Sequence, residues 1–167
     1  ISVIVSSPVD TYSGYGARSR DFVKALMSLE KYDVKLLSQR WGNTRFGYLE
    51  DHNEDDMLVN IIPQMTSQPD IWIQITVPNE FQKIGKYNIG VTAGIETTLC
   101  AKEWVDGINR MDLVLTSSKH SKSVLEETKW DIKDNRTGQM IETTKAKVPI
   151  KVLFEGIDNN KYKVNPN

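Results

Sequence analysis

The sequence predicts an α/β fold: a Rossmann-like, doubly wound and mainly parallel sheet with helices on both faces. Short β-branched and apolar runs, typical of strands buried on both faces of a parallel sheet, recur along the chain. Segments with helical apolar spacing separate several of these runs. The intervals between the runs have the length that a βαβ crossover needs, so the strands are expected to lie parallel. Ligand contacts are then expected at the carboxyl ends of the strands.

The first forty residues predict one βαβ unit. Residues 1–6 form a β-branched run, which Pro8 and Asp10 end, and a glycine-bearing turn follows. The next segment has apolar residues at helical spacing, and residues 33–37 are predicted as the second strand. The predicted inner face of the helix carries Phe22, Leu26 and Leu29, and its polar face carries Arg18, Arg20, Asp21 and Lys24.

The middle of the chain is less regular before the alternation returns. Residues 41–57 are irregular and acidic, and residues 58–62 are predicted as a short strand. Residues 71–75 and 87–93 are predicted as strands, followed by a helix through Trp104 and Met111. Another strand, at residues 112–116, would complete a second βαβ unit.

The last third adds a helix, a hairpin and a final strand. Ser118 is predicted to cap a helix that runs to about Thr128. Residues 129–147 are predicted as a β-hairpin insertion around a turn at 135–138. A buried strand at residues 150–154 ends the core.

Composition limits the class of protein. The formal net charge is −1, which offers no electrostatic case for nucleic acid. The single cysteine, Cys100, cannot form an internal disulfide and fits a reducing compartment. No apolar run approaches the length of a transmembrane segment, and residue 1 opens directly on a strand pattern. We therefore expect a soluble, cytoplasmic chain, peripheral to a membrane only if its substrate is a lipid.

No metal site is predicted. His52 and His120 are the only histidines, and neither has a cysteine or carboxylate at zinc-ligand spacing. The carboxylates of residues 50–56 lack the glycine and closing glutamate of a calcium loop. They are interpreted as a solvated loop.

The glycine turn after the first strand is a candidate phosphate site. Unpaired amides at a helix amino end attract anions, and glycines let a phosphate approach the backbone. Arg18 could add a charged fork. The dinucleotide fingerprint would need a third glycine where this chain has Ser19. The alternative is a tight strand-to-helix connection without a ligand. The turn comprises Ser13, Gly14, Tyr15, Gly16 and Ala17.

A second candidate site follows the next βαβ unit. Glu96 is a carboxylate between Gly94 and the hydroxyls of Thr97 and Thr98. It could accept hydrogen bonds from a substrate or act as a base. Alternatively, it could begin the following helix and complement the helix dipole. The turn after the next strand is also polar and carries Ser117, Ser118 and Lys119.

Three motifs resemble one known family. Residues 94–98, with the Glu103-Trp104-Val105 segment and the strand ending at 117–118, are similar to the amino-terminal half of retaining glycosyltransferases of the GT-B fold, the group 1 or family-4 class. Residues 13–18 resemble the glycine loop of those enzymes. Residues 152–162, which include Glu155, Gly156 and Asp158, resemble the segment that precedes the crossing into their second domain.

The resemblance implies the amino-terminal half of a two-domain enzyme. Residues 1–162 would form the acceptor-side domain, and 163–167 would begin the linker to a carboxyl-terminal domain that holds most of the nucleotide-sugar donor. Glu96 would be catalytic. No cofactor is implied, and transfer would be metal-independent. Gly14, Tyr15, Gly16 and Arg18 would approach the donor phosphates or sugar, and Thr97, Thr98, Ser118, Lys119, Glu155 and Gly156 would line the acceptor cleft.

The chain departs from the family pattern at one turn, and its fold also suits two other functions. Many family members place a histidine on the turn at 94–98, and this chain has none between His52 and His120, which counts against a histidine-assisted mechanism. The main alternative is a stand-alone nucleotide- or metabolite-binding module without catalysis. A dehydrogenase is the third possibility, against which the missing third glycine counts.

Overall fold

A six-stranded parallel sheet lies at the centre of the computed structural model, which describes residues 1–157, 159 and 162–164. The strand order is β2-β1-β3-β4-β5-β8, and β6 and β7 form a separate antiparallel pair. This confirms the predicted Rossmann-like fold and the hairpin. The strands are β1 (Ser2–Ser7), β2 (Asp33–Ser38), β3 (Ile71–Ile75), β4 (Tyr87–Thr92), β5 (Leu113–Thr116), β6 (Lys129–Lys133), β7 (Met140–Lys145) and β8 (Ile150–Val152).

Helices cover both faces of the sheet, as predicted. The first face packs against α1, α2 and α3, and the second face packs against α4 and α5. Along β1, Val3 and Val5 enter the first core while Ile4 enters the second, because successive strand side chains point to opposite faces. The helices are α1 (Gly14–Met27), α2 (Tyr48–Asp51), α3 (Asp55–Leu58), α4 (Lys102–Ile108) and α5 (Lys119–Glu127), with a 3₁₀ turn at Pro78–Glu80.

Two expectations for α1 are wrong. The helix ends at Met27, and Leu29 is half-exposed rather than on the inner face. Arg20 is buried rather than solvated, because its guanidinium donates hydrogen bonds to the carbonyl oxygens of Val9 at 2.8 Å and Thr11 at 2.9 Å. The buried charge is therefore matched by backbone acceptors.

The segment between β2 and β3 is more structured than predicted. It contains α2 and α3, which bury Leu49 and Met57 against the first face. The predicted strand at 58–62 is reduced to an isolated parallel bridge between Leu36 and Ile61. Residue 58 already belongs to α3, and residues 59 and 60 form a turn, so the chain reaches the sheet only at Ile61.

The hairpin is tied to the second core. The indole Nε1 of Trp130 donates to the carbonyl of Cys100 at 3.0 Å, and the amide of Asn109 donates to the carbonyl of Lys145 at 2.9 Å. Cys100 is buried, and this burial raises the pKa of its thiol. The predicted linker at 163–167 lies partly outside the described residues. Within the described part of the chain, no helix has the length and hydrophobicity needed to cross a membrane.

Candidate functional site

Four polar turns meet at one edge of the sheet. They follow β1, β4, β5 and β8, and all of these strands are parallel. Their carboxyl ends therefore lie on the same side, which we call the carboxyl edge. Side-chain contacts join the turns to one another.

Tyr15 joins the first turn to β4. Its hydroxyl lies 3.1 Å from Thr92 Oγ1 and accepts a hydrogen bond of 3.1 Å from the amide of Ala93. Its ring stacks on Trp41 with a centroid separation of 4.2 Å. Because β3 lies between β1 and β4, this side chain spans the end of an intervening strand. Its hydroxyl is engaged by the protein itself.

Arg18 joins α1 to the turn after β8. Its Nη2 donates to the carbonyl of Leu153 at 3.2 Å, and its Nε lies 3.7 Å from Glu155 Oε1. Glu155 and Gly156 are exposed at this end of the edge. Asp158, which belongs to the same motif, lies outside the described residues.

The turns after β4 and β5 are in direct contact. Ser117 Oγ donates to the carbonyl of Ala93 at 2.7 Å, and Ser121 Oγ lies 3.3 Å from both the amide nitrogen and the carbonyl oxygen of Ile95. Gly94 has a φ of +94°, and a Cβ there would lie 2.2 Å from Ser121 Oγ. The close approach of these turns therefore requires glycine.

These two turns and the start of α5 line an open pocket of about 390 Å³. Glu96 and Ser118 contribute to its wall, whereas Thr97, Thr98 and Lys119 do not. Glu96 is exposed, and its carboxylate accepts no hydrogen bond from the described residues. The complete wall consists of Ala93, Gly94, Ile95, Glu96, Ser117, Ser118, His120 and Ser121.

One of the two interpretations of Glu96 is wrong. Helix α4 begins only at Lys102, so Glu96 lies in the preceding loop and cannot complement the dipole of the first turn. Glu103 occupies that position instead. The hydrogen-bonding or base interpretation of Glu96 remains a hypothesis.

The glycines of the first turn differ in their surroundings. A Cβ at Gly16 would lie 2.3 Å from the carbonyl oxygen of Thr11, so this glycine allows α1 to pack closely on the preceding turn. Gly14 faces open space. Ser13 Oγ caps the helix by accepting from the amide of Gly16 at 2.9 Å. Within the described residues, the amides of Gly14 and Tyr15 have no acceptor and remain open to a ligand.

Sequence reasoning missed Arg20 and a second pocket. Arg20 lies 3.4 Å from the centroid of the Tyr48 ring, and it anchors the turn after β1. The second pocket, of about 690 Å³, lies beside Gln74 of β3. A glutamine inside the apolar run Ile-Trp-Ile-Gln-Ile was the available signal, since buried strands of parallel sheets are normally apolar.

The described residues contain no group of three histidine, cysteine, aspartate or glutamate side chains placed to hold a metal ion. The chain matches no protein-family model, and a search of curated proteins found no match.

Proposed function

We propose that this chain is the amino-terminal, acceptor-side half of a retaining glycosyltransferase that uses a nucleotide-sugar donor. The observation that carries the proposal is the continuity of the four turns along the carboxyl edge. Tyr15, Arg18 and Ser117 each bridge two of them. The motifs that resemble the family thus line one surface, as a transfer cleft requires.

The start of α1 offers a site for the donor phosphates. The open amides of Gly14 and Tyr15 point out of the helix at its positive end. Gly14 leaves room for a phosphate to approach. Arg18 already lies beside Glu155, so its guanidinium would bind the donor phosphates only after leaving that carboxylate. The helix end would stabilise the departing diphosphate without a metal.

The pocket beside β4 and β5 would receive the acceptor. Glu96 has a carboxylate free to accept a hydrogen bond from an acceptor hydroxyl, and Ser118 lies on the wall beside it. A second domain would close over this edge and exclude water, which otherwise competes as the acceptor. We therefore expect the 167-residue chain alone to transfer no sugar.

The test is a transfer assay on the polypeptide encoded by the longest reading frame that contains these residues. A panel of uridine-, guanosine- and adenosine-diphosphate sugars is incubated with candidate acceptors, and the anomeric configuration of the product is determined by NMR. We expect one donor to be consumed with retention. Glu96→Gln should lower kcat by about 100-fold, the effect expected for losing a positioned base or acceptor.

Glu50→Gln is the matched control, because Glu50 is exposed on α2 and lines neither pocket. Its kcat should equal that of the wild type. Failure of the protein to bind any nucleotide sugar would refute the glycosyltransferase proposal. Equal activity of Glu96→Gln and wild type would refute only the role of Glu96.

The alternative, a nucleotide- or metabolite-binding module without catalysis, is favoured by one feature of the topology. The strand order reverses between β1 and β3, and folds of this kind bind ligands at that point. Binding of a nucleotide without its sugar, together with no transfer by the complete polypeptide, would support this alternative.

A further inference from the structure

A second pocket lies where the strand order reverses, beside the carboxyl ends of β1 and β3. It has a volume of about 690 Å³, within the roughly 300–1,000 Å³ of small-molecule sites. Its lining is rich in amide side chains, and we call it the amide pocket. The lining residues that matter here are Gln39, Gln74, Asn79, Glu80 and Gln82.

The floor is a polar row across three neighbouring strands. The side-chain amide of Gln39, just after β2, donates to Ser6 Oγ on β1. Gln74 of β3 is 2% exposed on the same face of the sheet. On that face the preceding positions of β1 and β3 are the apolar Ile4 and Trp72. The sheet thus changes from apolar to hydrogen-bonding at the pocket.

Gln74 also fixes the wall of the pocket. Its Nε2 donates to the carbonyl of Glu80 at 3.0 Å, and its Oε1 accepts from the backbone amide of Gln82 at 2.8 Å. Thr76 donates through its hydroxyl to the carboxylate of Glu80. The 3₁₀ turn is therefore anchored to β3 by side chains.

The opposite side of this wall is held by α4 and the residues after it. Arg110 donates from Nε to the carbonyl of Phe81 at 2.6 Å and from Nη2 to the carbonyl of Asn79 at 2.7 Å. A Cβ at Gly107 would lie 1.7 Å from the carbonyl oxygen of Pro78, so α4 touches the turn directly. A wall fixed from two sides loses little freedom when a ligand binds.

Several polar groups of this fixed wall are unused. Within residues 1–157, the side-chain amides of Asn79 and Gln82 make no hydrogen bond, although both residues are exposed at the pocket. Within residues 1–157, one carboxylate oxygen of Glu80 and the side-chain amide oxygen of Gln39 also accept no hydrogen bond. An amide group both donates and accepts, which matches the hydroxyl groups of a polyol.

Both cations at the pocket have a partner within the protein. Arg110 is bound to two carbonyls, and Lys83 Nζ lies 3.8 Å from Asp112 Oδ1. Glu80 adds a negative charge, so the lining carries charges of both signs. The groups that are free to bind are mainly the uncharged side-chain amides of Asn79 and Gln82, which match the hydroxyls of a neutral polyhydroxylated ligand.

We propose that the amide pocket binds a neutral carbohydrate of one or two sugar units. The proposal does not rest on the glycosyltransferase assignment, because the pocket shares no residue with the wall around Glu96. The side-chain amides would form hydrogen bonds with the sugar hydroxyls, and the Glu80 carboxylate would accept a hydrogen bond from one of them. A ligand without those hydroxyls would leave these groups unpaired.

The experiment is saturation-transfer NMR of the 167-residue chain with maltose, cellobiose, lactose, sucrose and trehalose, and with glucose 6-phosphate as the anionic comparison. Titration calorimetry of the ligands that bind follows. We expect at least one disaccharide to bind without any nucleotide present. Asn79→Ala and Gln82→Ala should each weaken binding by about five- to tenfold, the effect of losing hydrogen bonds to a polar ligand.

Asn135→Ala and Gln139→Ala are matched controls on the exposed tip of the hairpin, and they should leave the Kd unchanged. Neither pocket residue uses its side chain to hold the fold, so the Asn79 and Gln82 variants should unfold at the wild-type temperature. Absence of binding by all five sugars, binding that survives both pocket substitutions, or selective binding of glucose 6-phosphate over the neutral sugars would each overturn the proposal.

Discussion

Gly94 shows how one residue sets the geometry of the candidate site. It combines a left-handed φ of +94° with a Cβ position that would lie within 2.8 Å of both Ser121 and Thr116. Any other residue would meet backbone strain and a steric clash in the same place. The loop that carries Glu96 can therefore approach β5 only through glycine.

Gly94→Ala should lower the free energy of unfolding by about 3 kcal/mol, because left-handed strain and overpacking act together. Chemical denaturation monitored by tryptophan fluorescence measures this loss. Gly138→Ala is the control: its φ is +69°, but a Cβ there meets no atom within 4 Å. It should cost only about 1 kcal/mol, from the backbone alone. Equal losses for the two variants would show that the contact with Ser121 contributes nothing.

Arg20 is a charged residue, yet the fold buries it. Desolvation lowers the pKa of its guanidinium, yet the group stays inside because two carbonyls accept its hydrogen bonds and Tyr48 lies against it. By holding Val9 and Thr11, Arg20 positions the turn that leads into α1. Arg20 thus supports the candidate phosphate site from inside the protein, by fixing the turn and not by contacting a ligand.

At the scale of elements, α5 connects its own cap to the pocket. Ser118 Oγ accepts from the amide of Ser121 at 3.0 Å and lies 3.0 Å from Ser121 Oγ, which in turn contacts Ile95. The predicted cap at Ser118 is confirmed, and the helix begins at Lys119. The cap therefore stabilises the helix and aligns the hydroxyl that meets the loop after β4.

Ser118→Ala should destabilise the protein by about 1 kcal/mol, the usual value of an N-cap. Ser123→Ala on the same helix removes only an exposed bond to Glu127 and should cost about 0.3 kcal/mol. Thermal unfolding by circular dichroism compares the two. A Ser118→Ala variant as stable as Ser123→Ala would mean that the cap is not used.

At the scale of the whole molecule, the two edges of the sheet differ in their chemistry. The carboxyl edge carries the polar turns. At the opposite side, where the amino ends of the strands lie, two carboxylates join neighbouring segments by hydrogen bonds. Asp70 accepts from the backbone amide of Ser2 at 3.0 Å and from Lys86 Nζ at 2.7 Å. Asp112 accepts from the backbone and side-chain amides of Asn88 at 2.8 and 2.9 Å.

These contacts predict the response of stability to acid. The hydrogen bond from Lys86 and those from Ser2 hold the pKa of Asp70 well below its usual range, and the side-chain amide of Asn88 lowers that of Asp112. A carboxyl group with a lowered folded-state pKa stabilises the fold fully above its unfolded pKa of about 4. That contribution is lost as the pH falls further, through the folded-state pKa.

The Asp70→Asn/Asp112→Asn double variant should therefore have a lower Tm than the wild type at pH 7. The difference in Tm should narrow as the pH falls below about 4, because the wild-type carboxylates become protonated. Asp21→Asn, an exposed position on α1, should track the wild type throughout. A difference that stays constant down to acidic pH would show that the two carboxylates do not act through their charge.

The sequence by itself determined the fold class and most of its elements. Residues 71–75 are predicted as a strand and form β3 with the same bounds, and the hairpin turn ends at Gly138 as expected. The cap at Ser118 was also predicted. These features depend on side-chain periodicity, glycine conformation and contacts a few residues apart, all of which are written locally in the chain.

Only the tertiary structure decided which polar residues work together. Tyr15 reaches past β3 to the end of β4, and Arg110 supports the turn at Pro78–Glu80. The burial of Arg20 likewise depends on Tyr48, far along the chain. Such contacts follow from the order in which strands pair and from the path of the loops over their ends. Local periodicity carries no record of that order, because the same strand pattern fits several arrangements of a parallel sheet.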